Sequence, residues 1–415
     1  TATPKNNSPT CTSSPDSTAS YHAQTTSPKK SANSAEQQDF LKYNMKKLLI
    51  TLLFMPLSVF AQINQQCPQF TPYGAPQVSA SARLNTNENP YGPSKDLAAA
   101  IAKRVGEVAH NLNRYPDRDA VALRKGLADY IKKQCGVELI YENVWAANGS
   151  NEILQSIFLA FVRTTAIGFV PSYSMHPLIG KVANVNWIDG KRNPDFTLNL
   201  PVALQQIKEI NPALTFITTP NNPTGSAISI SDIEELAIAT SQVNGLLIID
   251  EAYAEFSNEI SAITLISKYP NILVSRTMSK AFAFAGVRLG YLVADKLVID
   301  ALQLVRLPYH LSAITQSAAE VALDFQDELL ADVAKLTKDR DAMAIALTEL
   351  GLKVIPSAAN FILFTGFQQS SHELWEKLLA EGVLIRDVGL AGYLRVTIGN
   401  DAENQQFLSA LKGAL

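Results

Sequence analysis

The sequence reads Ser275-Arg276-Thr277-Met278-Ser279-Lys280-Ala281-Phe282-Ala283-Phe284-Ala285-Gly286-Val287-Arg288-Leu289-Gly290 directly after Ile272-Leu273-Val274, an apolar run that predicts a short buried strand. The stretch holds one lysine, Lys280, among small, hydroxyl and apolar side chains. Desolvation disfavours the ammonium form, so such a lysine can attack a carbonyl and form a Schiff base. Thr277, Ser279 and Arg288 supply two hydroxyls and a forked cation, a set suited to a phosphate. The stretch therefore predicts a site for an aldehyde cofactor that carries a phosphate.

Four other apolar runs predict buried strands, and each is followed by polar or aromatic residues. These followers include Ser150 after Val144–Ala147, Tyr173 after Ala166–Val170, Asn222 after Phe216–Thr219, and Asp250 with Tyr253 after Gly245–Ile249. Strands of near-continuous Ile, Leu and Val that alternate with helical stretches favour a mainly parallel sheet covered on both faces. Ligands bind at the carboxyl ends of the strands in such sheets. We therefore predict an α/β fold in which these residues meet Lys280 at one edge.

The turn Gly149-Ser150-Asn151 precedes a helical stretch. A turn that opens a helix points backbone N–H groups and the positive end of the helix dipole at its ligand, and a phosphate fits there. An ordinary N-cap at Ser150 gives the same pattern.

The last 110 residues or so change character. Long helical stretches at about 313–350 are followed by Phe361–Phe364, by a helix near 371–381, and by two apolar runs that carry Arg386 and Arg395. This pattern predicts a smaller α/β domain that presents both arginines from strand ends. Ser94 is a plausible N-cap for a helix at the other end of the folded region.

Composition excludes several classes of function. The 415 residues are 47% hydrophobic and 18% charged, which is typical of a globular protein, and the net charge of -3 gives no footprint for nucleic acid or an anionic membrane. The three cysteines, Cys11, Cys67 and Cys135, indicate neither a disulfide framework nor a metal knuckle. The five histidines show no ligand spacing, so we predict no metal site.

The N-terminal residues differ from the rest. Residues 1–44 are rich in Thr, Ser, Pro, Asn and Lys, which predicts a disordered or non-native leader. Residues 45–66 resemble a signal peptide, because Lys46-Lys47 precede an apolar run to Phe60 and Val59-Phe60-Ala61 resembles a cleavage site. The run is too short for a stable membrane span. A buried helix and a gene-model error are alternatives. We expect a cytoplasmic protein, with export as the alternative if translation starts at Met45.

Several motifs together resemble the fold-type I pyridoxal-phosphate aminotransferases over about residues 73–412. The superfamily motifs are Asn222-Pro223-Thr224-Gly225, Asp250-x-x-Tyr253, and Ser279-Lys280 with Arg288. Further stretches resemble the histidinol-phosphate aminotransferase family: Leu84–Gly92, Asn113–Asp117, Leu384–Asp387 and Leu394–Gly399. The resemblance implies a large cofactor-binding domain at 118–305, a small domain at 306–415, and an N-terminal arm at 67–117.

The resemblance also implies roles for the cofactor site. Lys280 carries pyridoxal 5'-phosphate as an aldimine and serves as nucleophile and general base in turn. Asp250 keeps the pyridine nitrogen protonated, Asn222 and Tyr253 bond the ring's phenolate oxygen, and Tyr173 stacks on the ring. The phosphate is held by Gly149, Ser150, Asn151, Thr277, Ser279 and Arg288, with Tyr115 from a partner subunit, which implies a homodimer.

The implied reaction joins a small-molecule amino donor to a 2-oxo acid. L-Histidinol phosphate and 2-oxoglutarate give imidazole acetol phosphate and glutamate, with Arg395 on the α-carboxylate and Arg386 with Tyr91 on the substrate phosphate. An aromatic amino-acid aminotransferase and a threonine-phosphate decarboxylase are the alternatives within the fold. A DNA-binding regulator and an inactive exported binding protein are alternatives from other classes. The regulator is disfavoured by the absence of a basic helix-turn-helix pattern in residues 1–66, and the binding protein by Lys280 and Asp250.

Overall fold

The computed structural model describes residues 74–161 and 165–415, all within one compact unit that runs from Pro72 to Leu415. The predictions for residues 1–44 and for 45–66 fall outside the described residues. The predicted boundaries at 117/118 and 305/306 stay predictions. In the described ranges, no helix is both long enough and apolar enough to cross a membrane.

Thirteen strands are found in the described residues. They are β1 Ala82–Arg83, β2 Val144–Ala147, β3 Thr165–Val170, β4 Asn186–Lys191, β5 Leu214–Thr218, β6 Leu246–Asp250, β7 Ile272–Thr277, β8 Gly290–Val293, β9 Lys353–Val354, β10 Phe361–Thr365, β11 Val383–Leu384, β12 Arg386–Asp387 and β13 Leu394–Thr397.

The main sheet has seven strands in the order β2-β8-β7-β6-β5-β3-β4. All neighbours are parallel except β8, which runs antiparallel to both β2 and β7. The central strands β5 and β7 are buried along their whole length, as continuous apolar runs in a covered parallel sheet must be. The predicted α/β class with a mainly parallel sheet is confirmed.

Eleven α-helices accompany the strands in the same described ranges. They are α1 Lys95–Ala109, α2 Val121–Cys135, α3 Ser150–Ala160, α4 Met175–Val182, α5 Leu200–Ile210, α6 Ile230–Gln242, α7 Lys296–Val305, α8 Ala313–Asp324, α9 Gln326–Glu349, α10 Ser371–Ala380 and α11 Asp401–Ala414.

Two cores lie on the two faces of the main sheet, because successive side chains of a strand point in opposite directions. Ile248 and Leu273 belong to the core that contains Phe158 of α3. Ile249 and Val274, the next residues along each strand, belong to the larger core. That core also contains α2, α6 and residues of β10 and β13. The predicted N-cap is confirmed, since Ser94 Oγ accepts from Leu97 N at 3.1 Å.

The C-terminal region carries an antiparallel sheet with the order β12-β13-β10-β9. β1 pairs with β11 in parallel, so the chain that enters the fold lies beside the chain that leaves it. The predicted helical stretches at about 313–350 are confirmed as two helices, α8 and α9, that meet at Phe325.

A buried ion pair joins β6 and β7 at their carboxyl ends. Arg276 donates to Glu251 Oε2 from Nε at 3.0 Å and from Nη2 at 2.8 Å. Both side chains are almost fully buried, and Arg276 Nη1 also lies 3.6 Å from Glu255 Oε1, so losing Arg276 would leave the Glu251 carboxylate buried without a cation. This pair fixes the backbone that carries Asp250 on one strand and Thr277 on the next.

Candidate active site

A cavity of about 520 Å³ lies at the carboxyl ends of β5, β6 and β7. Its walls include most of the side chains predicted from sequence. They are Ser150, Asn151, Tyr173, Asn222, Asp250, Tyr253, Thr277, Ser279, Lys280, Arg288, Arg386 and Arg395. Residues from seven separate segments of the sequence thus meet at one place, as expected for residues that follow strand ends.

Lys280 lies in this cavity, where its ammonium group loses its proton more readily than that of an ordinary lysine. Its Nζ donates to the carbonyl of Thr86 at 2.9 Å. Burial, with smaller contributions from the positive charges of Arg395 and Arg288, lowers the pKa of Lys280 to about 8, and the charge of Glu88 opposes this shift. A lysine with such a pKa has a usable fraction of neutral amine near pH 7, which a nucleophile or a general base needs.

The predicted phosphate turn is built by two glycines. Gly149 has φ of +80° and is the N-cap of α3, so no side chain caps this helix. A Cβ on Gly290 of β8 would lie 2.4 Å from Ser150 N, so only glycine lets the strand approach the turn this closely. The start of α3 therefore offers backbone donors to a ligand rather than to a capping side chain.

Arg288 and two hydroxyls complete the turn. Arg288 Nη2 is 2.7 Å from where a Cβ on Gly149 would be, and Nη1 donates to Ala285 O at 3.0 Å. Thr277 Oγ1 and Ser279 Oγ are 3.0 Å apart. Arg288 also has φ of +61°, a left-handed conformation that costs energy and is found at ligand clamps. This donor set fits the phosphate of the predicted cofactor.

Asp250 has a buried partner that the sequence did not reveal. His176 Nε2 lies 3.2 Å from Asp250 Oδ2, and Ala252 N donates to Oδ1 at 3.2 Å. Tyr173 meets the His176 ring edge-on, with centroids 5.3 Å apart. These contacts hold one carboxylate in a fixed orientation at the cavity wall, where a ring nitrogen could meet it.

Two amides converge on the phenol of Tyr253. Asn222 Nδ2 donates to Tyr253 Oη at 3.3 Å, and Asn87 Nδ2 donates to the same oxygen at 2.8 Å. Arg395 Nη1 in turn donates to Asn222 Oδ1 at 2.6 Å, and Arg395 Nη2 donates to Asn85 O at 2.8 Å. The cavity therefore presents Tyr253 and Asn222 in one connected network.

Arg386 and Arg395 lie on neighbouring strands of the C-terminal antiparallel sheet. They are register partners in the antiparallel pair of β12 and β13. Like charges directly opposite on neighbouring strands repel each other. Lys280 and Arg288 also line the cavity, and among the described residues its acidic wall residues are Asp250 and Glu88. Four cations against two carboxylates favour the binding of anions.

Three predicted residues lie outside the cavity walls: Gly149, Tyr115 and Tyr91. Tyr115 is 79% exposed and stacks on Tyr309 with ring centroids 4.4 Å apart. Tyr91 packs beside the larger core, with Lys335 Nζ 5.2 Å from its ring centroid. Their assignments to the cofactor and the substrate phosphate stay predictions.

Other wall residues were missed from the sequence: Gln77, Thr86, Glu88 and Ser172. Thr86 and Glu88 belong to the stretch Leu84–Gly92 that precedes α1, but no local pattern shows that this stretch returns to the strand ends. His176 follows Tyr173 by three residues, a helical spacing that is the one available signal for it. Across residues 74–161 and 165–415, no cluster of three His, Cys, Asp or Glu side chains could hold a metal ion.

The comparisons agree with this geometry. The profile of the class I and II aminotransferases matches residues 81–411. A histidinol-phosphate aminotransferase of Mycobacterium sp. (strain JLS) is 53% identical over 343 residues, which cover 82% of this chain and 90% of the relative.

Two solved structures share the fold at 24% identity. The histidinol-phosphate aminotransferase of Clostridium acetobutylicum has a TM-score of 0.72 and covers 80% of this chain and 98% of its own. That of Sinorhizobium meliloti in complex with pyridoxal-5'-phosphate has a TM-score of 0.71 and covers 83% of this chain and 97% of its own. The chain belongs to the class I and II aminotransferases and, within them, to the histidinol-phosphate aminotransferase family.

Proposed function

We propose that this chain is a pyridoxal 5'-phosphate enzyme that transfers the amino group of L-histidinol phosphate to 2-oxoglutarate, giving imidazole acetol phosphate and glutamate. The observation that carries the proposal is one cavity in which a lysine of lowered pKa, an uncapped helix start and a cross-strand pair of arginines meet. Each serves one part of the reaction: the amine chemistry, the cofactor phosphate and the substrate anion.

The chain's own residues divide the work of holding the cofactor. Gly149, Ser150 and Asn151 at the start of α3 would hold its phosphate, together with Thr277, Ser279 and Arg288. Asp250 would accept a hydrogen bond from the protonated ring nitrogen, since its carboxylate is already oriented by His176. When bound, the cofactor supplies an aldehyde that takes up the amino group and a ring that withdraws electrons from the reacting carbon.

Lys280 moves the proton. Its Nζ, with a pKa near 8, accepts the proton that leaves the amine-bearing carbon of the substrate and delivers it again on the other side of the reaction. Burial of this amine keeps water from competing for the same proton. Tyr173 would cover the ring face, while Tyr253 and Asn222 would bond the ring oxygen.

Substrate recognition falls to the paired arginines. Arg395 would fork onto the carboxylate of glutamate or 2-oxoglutarate, a geometry that lysine cannot reproduce. Arg386 with Tyr91 would bind the phosphate of histidinol phosphate. Histidinol phosphate has no carboxylate, so the pocket serves both substrates by engaging different arginines.

We also infer a homodimer with shared active sites. Tyr115 and Tyr309 form a stacked pair that is exposed on the subunit, and Leu304 and Leu307 nearby in the chain are 87% and 73% exposed. Apolar side chains that protrude in this way are typical of an interface. A partner subunit that covers these side chains would bring Tyr115 to the partner's cavity. In its own subunit, Tyr115 lies outside the cavity walls.

For location we propose the cytoplasm, because the proposed substrates are small, highly charged molecules that do not cross a bilayer unaided. Export remains the alternative if translation starts at Met45. Fractionation of cells that carry the intact gene would distinguish the two, since enzyme recovered outside the cytoplasm contradicts the proposal.

The test is a half-reaction. The purified cofactor-loaded enzyme is mixed with L-histidinol phosphate, and in parallel with L-phenylalanine and L-threonine phosphate, while the absorbance of the bound cofactor is followed. Rapid conversion with histidinol phosphate alone supports the proposal. Faster conversion with phenylalanine favours an aromatic aminotransferase, release of carbon dioxide from threonine phosphate favours a decarboxylase, and no conversion with any of them refutes transamination.

A further inference from the structure

Asn87 lies in the loop before α1 and is 1% exposed, with no place in the mechanism above. Its backbone has φ of +56°, a left-handed conformation that asparagine tolerates better than most residues. Asn360, the residue before β10, donates from Nδ2 to the Asn87 carbonyl at 3.2 Å, which anchors the loop. The Asn87 amide is buried, held in a strained backbone conformation and directed at an active-site phenol. This combination indicates a functional role.

The orientation of the Asn87 amide is fixed by Thr397 of β13. Thr397 Oγ1 accepts from Asn87 N at 3.0 Å and lies 3.0 Å from Asn87 Oδ1. A hydroxyl has one proton, so that proton goes to Oδ1. The amide nitrogen must then face the other way, where Tyr253 Oη lies 2.8 Å from Nδ2.

The phenol oxygen of Tyr253 receives a second donor from Asn222, 3.3 Å away. Two donors on one phenol oxygen leave the phenol to act as a donor through its own O–H. Donors on that oxygen also polarise the O–H bond, which strengthens the hydrogen bond it gives. We propose that Asn87, oriented by Thr397, is a positioning residue that keeps the Tyr253 phenol a proton donor toward the ring oxygen of bound pyridoxal phosphate.

This inference rests on the proposed function, and it has a defined sign. A hydrogen bond given to the ring oxygen stabilises negative charge there, which lowers the pKa of the absorbing cofactor group. Weakening that donor therefore raises the midpoint of the cofactor's absorbance titration. A purely structural role for Asn87 predicts lower stability without this directed change.

The experiment is a spectrophotometric pH titration of the cofactor-loaded enzyme without substrate. Asn87→Asp keeps the shape and the backbone but replaces the donor with an acceptor, and Asn87→Gly keeps the backbone conformation without any side chain. Both should raise the midpoint by about half a pH unit or more, the effect of losing one hydrogen bond in such a chain. Thr397→Val should also raise the titration midpoint. Thr397→Ser keeps the hydroxyl, so its midpoint should stay with that of the unaltered protein.

Asn85→Ala is the matched control, because Asn85 Nδ2 holds the same loop through Pro76 O at 2.9 Å but does not reach Tyr253. Its midpoint should stay with that of the unaltered protein. Asn87→Asp also adds a negative charge that raises the midpoint by itself, so the uncharged Asn87→Gly decides. An unchanged or lowered midpoint in Asn87→Gly overturns the inference, as does an equal shift in Asn85→Ala. Because the titration uses no substrate, an unaltered enzyme that binds cofactor but fails the half-reaction would refute the proposed function and leave this measurement intact.

Discussion

The acidity of Lys280 in the cofactor-free enzyme is the most direct consequence of the cavity. With the pKa of Lys280 at about 8 rather than at the usual 10.5, the amine is about one-tenth neutral at pH 7, whereas an ordinary lysine is neutral in about one molecule in 3,000. Lys280 should therefore have about 300 times more reactive amine than a solvated lysine at that pH. The excess should disappear above the ordinary midpoint, where both amines are neutral.

Two variants test the cause by moving the pKa in opposite directions. Arg395→Gln removes a positive charge that lowers the pKa of Lys280, so the midpoint should rise. Glu88→Gln removes the negative charge that raises it, so the midpoint should fall. Arg104→Gln is the matched control for loss of an arginine, because Arg104 pairs with Glu320 away from the cavity walls at 3.1 Å.

The assay is a short pulse of acetic anhydride across a pH series, with the peptide that carries Lys280 quantified by mass spectrometry. Its labelling rate should titrate near pH 8 in the unaltered protein. A midpoint near 10.5 would refute the reasoning, since burial and the neighbouring cations would then have no effect. Shifts of the same sign in Arg395→Gln and Glu88→Gln would refute the electrostatic part.

Three other changes probe the remaining assignments. Asp250→Asn should slow the half-reaction by orders of magnitude while cofactor content is kept, because a neutral amide cannot hold the ring nitrogen protonated; near-normal rapid-mixing kinetics would contradict this. Arg386→Ala should raise the KM for histidinol phosphate by about tenfold or more and that for glutamate much less; equal losses would mean that Arg386 is structural. Leu304→Asp should give a monomer of low activity by sedimentation, whereas Ile345→Asp, also an exposed apolar position, should not; an unchanged mass for Leu304→Asp would argue against this interface.

Much of the fold and of the cavity could be predicted because strand ends are local features. The apolar runs before Asp250 and Lys280 mark β6 and β7, and parallel strands bring their carboxyl ends to one edge. The polar strand β4 and the short antiparallel strand β8 were not predicted. β4 has little apolar patterning, and β8 lies directly after the lysine stretch and begins at Gly290, where no turn signal separates it.

Residues that act through a partner in a distant segment could not be predicted from the sequence. Asn87 and Thr397 are separated by 310 positions, and neither stands in a pattern that predicts their contact. His176 and Asp250 are 74 positions apart. Such pairs depend on register between elements, which a single sequence does not specify. Tyr91 and Tyr115 show the converse: their motifs were recognisable, but one subunit does not bring them to the cavity.

The opposed arginines Arg386 and Arg395 have a consequence for how long the protein survives in a cell. Two arginines at paired positions of β12 and β13 would lower the stability of the ligand-free fold to the extent that their charges repel each other. An anion bound by either arginine would weaken that repulsion, and any ligand that binds only the folded state stabilises it in proportion to the logarithm of its concentration. At high substrate concentrations the enzyme should resist proteolysis. At low substrate concentrations it should be degraded faster. The abundance of the enzyme would then follow the supply of its own substrates without any dedicated regulator.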